Sequence, residues 1–456
     1  MSISVSGADD FLTSALTTST PETSDPDVFL KERSASAAYQ VTEVPLETLT
    51  EWRTEDRLIH SSGRFFTIEG LSVRTNFGPV PHWYQPIIVQ PEIGILGILI
   101  KRINGIPHFL MQVKMEPGNT RLVQYAATVQ ATPSNYQRVH GGRATPYLKY
   151  FLRGSRGRVV VDRLLSEHAS WYLHKRNRNM IVEIPSDEHI AVRDDFTWLS
   201  LGQLRRQLAL GNVNMNARTV LACITYAGAS NPRGSDDFHR AVVESHQADR
   251  TDADLATTMT WLIDQKERYH LDVRRIGLSD MDEWITDGHS IRHRDGRYFR
   301  IIGLSVRATS REVDTWTQPM LQPVPGNLVA FVCQRHNGTL RFLVQALVQP
   351  GSTDRLELAA TIQLAPGYLR GPQDQPPLVE YLTMPGAQVR TKSIQSEDGG
   401  RFHQADTQHL VVELPEDQPV ETPPNYRWMT LGQLERLTQH GYYVNVEARS
   451  LMACLL

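Results

Sequence analysis

The sequence predicts an α+β fold made of two tandem mixed-sheet units related by internal duplication. Three observations carry this prediction. First, GRFFTIEGLSVR at 63–74 returns as GRYFRIIGLSVR at 296–307, nine identities in twelve positions and 233 residues apart. Second, short apolar runs alternate with turn signals. The clearest is Asn104-Gly105 between GILGILIKRI and IPHFLMQVKM, a hairpin signature. Third, each copy adds a few helical patterns. In WLSLGQLRRQLAL the leucines keep helical spacing and Ser200 stands where an N-cap belongs.

The repeat is collinear over most of the chain. Trp83, Gln85 and Pro86 map onto Trp316, Gln318 and Pro319, and Asn104-Gly105 maps onto Asn337-Gly338. AATVQ at 126–130 meets AATIQ at 359–363. After slight slippage, IVEIP at 181–185 meets VVELP at 411–415, and WLSLGQL at 198–204 meets WMTLGQL at 428–434. Four segments follow. Residues 1–45 are Ser/Thr/Asp-rich and expected to be a partly disordered tail. Residues 46–231 form the first unit and carry the expected site. Residues 232–277 form a charged helical connector, with Trp261, Leu262 and Tyr269 at spacings that share one face. Residues 278–456 form the second unit.

Composition narrows the function classes. The chain has 456 residues, 40% hydrophobic and 21% charged, so it can bury a large core. Its 47 basic and 50 acidic side chains leave a net charge of −3, which supplies no global field for nucleic acid or an anionic membrane. The longest apolar run, Ile93 to Ile100, is far shorter than the roughly 20 residues of a membrane helix. No secretory signal pattern is present, and three widely spaced cysteines without CxxC fit a reducing cytoplasm. The sequence has no GxxxxGK[ST], no GxSxG and no HExxH, and no GxGxxG linking a strand to a helix.

The candidate residues lie mostly in the first unit. Trp83 beside Gln85 suits a flat heterocycle, the ring stacking and the amide pairing with an edge. A tryptophan capping a core strand fits equally well. Arg64 and Arg74, read as one strand face, offer forks for a diphosphate, or salt bridges between sheet and helix. Gln112, Lys114 and Glu116 alternate along a strand and project to one side. Pro117-Gly118 then turns the chain and presents Asn119.

The duplication supplies its own comparison. A need of the fold should appear in both copies, whereas a need of one site need not. Lys114 becomes Leu347, Glu116 becomes Gln349 and Asn119 becomes Ser352, while Gln130 is kept as Gln363. Thr132, Ser134, Asn135 and Tyr136 become Ala365, Gly367, Tyr368 and Leu369. Lys175, Arg176, Asn177 and Arg178 become Ala405, Asp406, Thr407 and Gln408, and His140 has no counterpart. The polar residues unique to the first copy read as a site there. Drift on a solvated face is the competing reading.

With the two units, the WYQP/WTQP pair, EPGNTRLVQYAATVQATPSNY and KRNRNMIVE…WLSLGQL…NVNMNARTVLAC, the chain over about residues 45–456 resembles the sugar-nucleotide 2,3-dehydratases. The resemblance implies two Nudix-like units in one chain, a homodimer, and action on a dTDP-4-keto-6-deoxyhexose in deoxysugar biosynthesis for bacterial natural products. The implied product is a 3,4-diketo-2,6-dideoxy sugar nucleotide, consumed by a partner 3-ketoreductase or aminotransferase. The Nudix metal motif is absent, its nearest fragment being REVDTW at 311–316. Neither a catalytic metal nor a redox cofactor is therefore expected.

Within that resemblance the expected catalytic residues are Glu116 as base, His140 or Tyr136 as acid, and Lys114 as enolate donor or tuner of Glu116. Trp83 and Gln85 are expected at the thymine, and Arg74, Arg176 and Arg178 at the diphosphate. Gln112, Asn119, Gln130, Thr132, Ser134, Asn135, Lys175 and Asn177 complete the expected lining. Arg307, Trp316 and Gln318 are expected to mark a second, inert pocket. A sugar-nucleotide hydrolase on the same scaffold and a non-catalytic binding protein are the alternatives.

Overall fold

The structure, a computed structural model, describes residues 8–21, 23–36, 38–136, 144–152, 154, 157–226, 236–308, 313–369 and 374–456, with backbone alone at 8–10, 135 and 136. Each half contains a seven-stranded mixed sheet and a five-stranded antiparallel sheet. In the first large sheet the order is Arg158–Ser166, Arg176–Glu183, Gly94–Ile103, Ile106–Met115, Phe196–Ser200. Val123–Ala126 and Val129–Ala131 pair beside the central strands. Arg176–Glu183 runs parallel to Gly94–Ile103, which makes the sheet mixed. The second large sheet repeats this order with Gln388–Ser396, Asp406–Glu413, Asn327–His336, Thr339–Val348 and, on its last strand, Leu356–Ala359 and Tyr426–Met429.

Local chemistry explains the expected elements. Asn104 and Gly105 both take positive φ, 50° and 81°, as a two-residue hairpin turn requires, and Asn337-Gly338 repeats it. Ser200 caps the helix Leu201–Ala209: its hydroxyl accepts from Gln203 N, and the Gln203 side chain accepts from Ser200 N.

The small sheets depart from a simple tandem. The strand Thr67–Thr75 of the first half pairs with Leu271–Ile276, from the segment that precedes the second half. Reciprocally, Phe299–Ala308 pairs with Tyr39–Val44, from the segment that precedes the first half. Each small sheet thus takes an edge strand from the other side of the duplication, and the halves are interlocked.

The N-terminal stretch is correspondingly more than a loose tail. The helix Ala8–Leu16 buries Phe11, Leu12 and Ala15 in the first core. Ser14 donates to Pro107 O at 2.6 Å and accepts from Leu201 N at 2.9 Å. In the second half, Ser245 of the helix Asp237–Gln247 makes the same two bonds, to Leu340 O and from Leu431 N. The connector helix Asp252–Arg268 touches both halves. Trp261 donates to Pro424 O, and Tyr269, at its C-cap, packs edge-on against Phe77. The expected boundary at 231/232 lies outside the described residues. Among the described residues no helix is long and apolar enough to cross a membrane.

Candidate active site

The halves meet through two reciprocal turns. Gly118, just past the strand Ile106–Met115, donates to Gly399 O at 2.8 Å, and Gln404 N donates to Gly118 O at 2.6 Å. In the mirror position Gly351 donates to Ala169 O at 2.6 Å, and His174 N donates to Gly351 O at 2.9 Å. A Cβ on Gly118 would overlap the Phe402 carbonyl, and one on Gly351 would overlap that of Tyr172. Only glycine lets these backbones cross so closely. The segment 398–404 is thereby tied to the turn that follows the strand Ile106–Met115 of the first large sheet.

A cavity of about 180 Å³ opens where that segment passes. The first half lines it with Lys114, Glu116, Gln130, Thr132, Lys175, Asn177, Tyr172, Gln90 and Asn216, and the second half with Trp316, Gln318, Asp398, Gly400 and Arg401. Glu116 is 3% exposed, and its carboxylate accepts from Gln130 Nε2 at 2.6 Å and from Asn119 Nδ2 at 3.3 Å. Gln130 is oriented in turn by Asn214, whose Nδ2 donates to its Oε1 at 3.1 Å. Asn119 also donates to Gln124 Oε1 at 2.6 Å. The acceptor-only form of a carboxylate suits such a pair of amide donors.

Lys175 is buried and donates to the Glu92 carbonyl. Burial pulls its ammonium down to about 8, with Arg401 adding to the fall and the Glu167 carboxylate opposing it. Asn177 bridges the strands, donating to Glu167 Oε1 at 2.7 Å and accepting from Gly94 N at 3.0 Å. Tyr172 donates to Asp398 Oδ2 at 2.7 Å; burial, with the Asp398 charge, raises the phenol well above its ordinary value. The Arg401 guanidinium lies 4.3 Å from the Phe66 ring centroid and donates to Gly400 O at 2.8 Å.

Several expectations need correction. Trp316 and Gln318 do not mark a second pocket: they line this one, because the strand Thr315–Pro323 faces the first half across the interlock. Trp83 and Gln85 are absent from its lining and belong to the mirror position. Both glutamine amides are bonded within the protein. Gln85 accepts from Trp83 Nε1 at 2.8 Å and donates to Ser170 O at 2.9 Å, whereas Gln318 accepts from Trp316 Nε1 and donates to Gly400 O, each at 2.9 Å. Both amides tie a tryptophan to the crossing segment.

The expected diphosphate arginines lie elsewhere. Arg64 precedes the strand that begins at Thr67, so it shares no strand face with Arg74; both are exposed. Arg307 is exposed opposite Gln40 and Thr315. Alternation along Arg176–Glu183 turns Asn177 inward and its neighbours away. Arg178 pairs with Asp162 at 2.6 Å, and Arg176 stacks 5.2 Å from the Tyr442 ring centroid. Gln112 donates to Asp195 Oδ2 at 2.8 Å, away from the cavity. Thr132 reaches the cavity, but Ser134 behind it is held by Glu92 through its amide and hydroxyl. Asn135 and Tyr136 close the short helix Pro133–Tyr136, and their side chains, like all of His140, lie outside the described residues.

Sequence reasoning missed Gln90, Tyr172, Asn216, Asp398 and Arg401. Asp398 and Arg401 of the second copy stand opposite His168 and Trp171 of the first, a contrast between the copies that marks them in the sequence.

Fold and site together define a duplicated α+β protein with a polar, cation-bearing cavity walled by both halves. A family model described as NDP-hexose 2,3-dehydratase matches residues 23–224 and 255–455, and the chain belongs to that family. It is similar to a protein of Saccharopolyspora spinosa, 43% identical over 94% of this chain and 90% of that one. One of Amycolatopsis orientalis is 41% identical over 95% and 90%, and one of Streptomyces violaceoruber is 43% identical over 93% and 95%. All three are named dTDP-4-dehydro-6-deoxy-alpha-D-glucopyranose 2,3-dehydratase. A crystal structure of an ADP compounds hydrolase superposes with a TM-score of 0.22, at 12% identity over 34% of this chain and 83% of that one. That likeness is too slight to carry the fold.

Proposed function

We propose that this chain is a hydro-lyase that removes the C2 hydroxyl of a dTDP-linked 4-keto-6-deoxyglucose, leaving a 3,4-diketo-2,6-dideoxy sugar nucleotide. The observation that carries the reading is Glu116: a buried carboxylate clamped by two amides at the wall of a cavity, in a family named for this elimination. The C4 ketone acidifies the C3 proton, and Glu116 takes it. The resulting enolate needs hydrogen-bond donors at the C4 oxygen, a role that falls to Lys114. The hydroxyl at C2, β to the carbonyl, then leaves, and the enol ketonises at C3. Trp316 supplies a ring for the thymine, and Arg401 takes the place expected of Arg74, Arg176 and Arg178 at the diphosphate.

The family resemblance supports a homodimer, a place in natural-product deoxysugar synthesis, and a downstream 3-ketoreductase or aminotransferase. Three unbridged thiols, at Cys223, Cys333 and Cys454, support a reducing cytoplasm.

The test is incubation with dTDP-4-keto-6-deoxyglucose in excess EDTA, with a 3-ketoreductase and NADPH as trap, followed by mass spectrometry. A dTDP product that has lost one water and gained two hydrogens supports the reading. Release of dTMP only with magnesium makes the protein a hydrolase, and unchanged substrate with measurable binding makes it a binding protein.

A further inference from the structure

The elimination has two proton-transfer partners, a base at C3 and an acid at the departing C2 oxygen. We propose that Lys175 is that acid, in place of His140 or Tyr136; this rests on the dehydratase reading above. The other ionisable groups of the cavity are otherwise committed. Tyr172 gives its only proton to Asp398, and Asp398 also accepts from Gly400 N at 3.0 Å, so both are engaged with each other and the backbone. An arginine such as Arg401 does not give up its proton. Glu116 is the base. The two lysines remain, and they differ in burial. Lys114 is partly exposed, whereas Lys175 is 6% exposed with the Glu92 carbonyl as its hydrogen-bond partner among the described residues. One of its three N–H donors is thereby used.

The duplication separates chemistry from scaffold at this point. The second half keeps the Asn214–Gln130 clamp as Asn445–Gln363, bonded at 2.7 Å. It replaces Lys114, Glu116 and Lys175 together by Leu347, Gln349 and Ala405. The three charged groups are lost as a set, while the Asn–Gln pair that orients the carboxylate in the first half stays.

The proton balance closes without an external reagent. Glu116 takes the C3 proton, and the electron pair passes to the C4 oxygen. As the C2–O bond breaks, the Lys175 ammonium protonates the departing oxygen and water leaves. In ketonisation the neutral Lys175 amine accepts the enol O–H proton, and the Glu116 carboxyl returns its proton to C2. Both groups end as they began. An acid near the working pH is what such a transfer favours. Around Lys175, the carboxylates of Glu167, Asp398 and Glu92 favour the ammonium, and Arg401 and burial oppose it.

The test compares wild type, Lys175→Met and Lys175→Arg on dTDP-4-keto-6-deoxyglucose in deuterated water, following water loss and deuterium entry at C3 separately. The expected result is wild-type dehydration, with Lys175→Met losing about 10²–10⁴-fold in water loss. Deuterium should still enter C3 in that variant, and melting and dTDP binding should stay unchanged. Lys175→Arg should remain slow, because it keeps the charge without releasing a proton. A substrate carrying fluorine at C2, whose leaving group needs no proton, should largely rescue Lys175→Met. The alkaline limb of kcat near pH about 8 should vanish in both variants. Lys175→Met with normal water loss, loss of deuterium entry along with water loss in a folded protein, or full activity of Lys175→Arg would each overturn the assignment. Failure of wild type itself on this substrate would instead overturn the dehydratase reading beneath it.

Discussion

His168 joins the two halves through a buried ion group, and its removal tests the interlock. The imidazole bonds Glu397 at 3.0 Å through Nε2 and Glu447 at 3.1 Å through Nδ1, with both carboxylates contributed by the other half. Burial disfavours the imidazolium, but the two carboxylates overcome it and push His168 up to about 10. Removing one member of a buried ion group leaves the rest uncompensated, at a cost of about 3–5 kcal/mol. Linkage gives a similar figure: a rise from 6.5 to about 10 is worth about 5 kcal/mol, at about 1.4 kcal/mol per pH unit. Unfolding entropy of about 2 cal/mol/K per residue, taken over 456 residues, gives about 1 kcal/mol per degree. His168→Gln should therefore lower Tm by about 3–5 °C at neutral pH, with the halves melting as one unit. The sign follows from a raised folded-state value. The contribution is fully present below 6.5 and is lost as pH rises through about 10. On the acid side burial opposes the Glu397 carboxylate, His168 holds it down to about 2, and its contribution fades as pH falls from 4.5 through that value. Melting curves of wild type and variant across this range should differ most between pH 4.5 and 6.5, stay well apart at neutrality and converge in strong alkali. Equal melting at neutral pH, or a gap that persists unchanged in alkali, would refute the reasoning.

Other perturbations address the cavity and the crossing. Glu116→Gln should cut turnover by at least about 10²–10⁴-fold while dTDP still binds by calorimetry; full activity would remove Glu116 from the mechanism. Trp316→Ala should raise KM roughly ten-fold or more, since stacking on a base is worth about 1–3 kcal/mol, and Trp83→Ala should raise it far less. Equal KM effects in folded proteins would place the nucleotide elsewhere. Gly118→Ala forces a methyl group onto the Phe402 carbonyl and should destabilise the protein by at least about 1–3 kcal/mol in urea titration.

What was legible in the sequence was the repeat and its local consequences: the Asn-Gly hairpins, the Ser200 cap, and the cluster of Lys114, Glu116, Gln130, Thr132, Lys175 and Asn177 that the fold brings to one cavity. Part of the rest was also legible. Strand alternation separates Asn177 from Arg176 and Arg178 in the sequence itself. The N-terminal helix was hidden by Ser/Thr-rich neighbours, although Phe11, Leu12 and Ala15 share one face at helical spacing. The strand exchange was not legible. Tyr39–Val44 and Leu271–Ile276 are ordinary β-formers, and nothing in their composition says which half they join. Once they cross, Trp316 and Arg401 follow into the first half's cavity, and no pattern within either copy could place them there.

The mirror position explains why one cavity serves two copies. Glu116 and Gly400 both line the cavity, and their counterparts Gln349 and Ser170 bond directly at 2.7 Å. Asn216 and Asp398 likewise line it, and their counterparts Glu447 and His168 are ion-paired at 3.1 Å. Where Arg401 stands in the cavity wall, the mirror has Trp171, packed 4.6 Å from the Phe402 ring centroid. The residue pairs that enclose a space in one half have thus been exchanged for pairs that bond or pack together in the other. Reopening the mirror site would leave Glu397 and Glu447 buried without His168, the same cost worked out for His168→Gln. The second copy is thereby committed to holding the chain together, and the cavity depends on it, because the segment that His168 anchors through Glu397 leads directly into Asp398, Gly400 and Arg401.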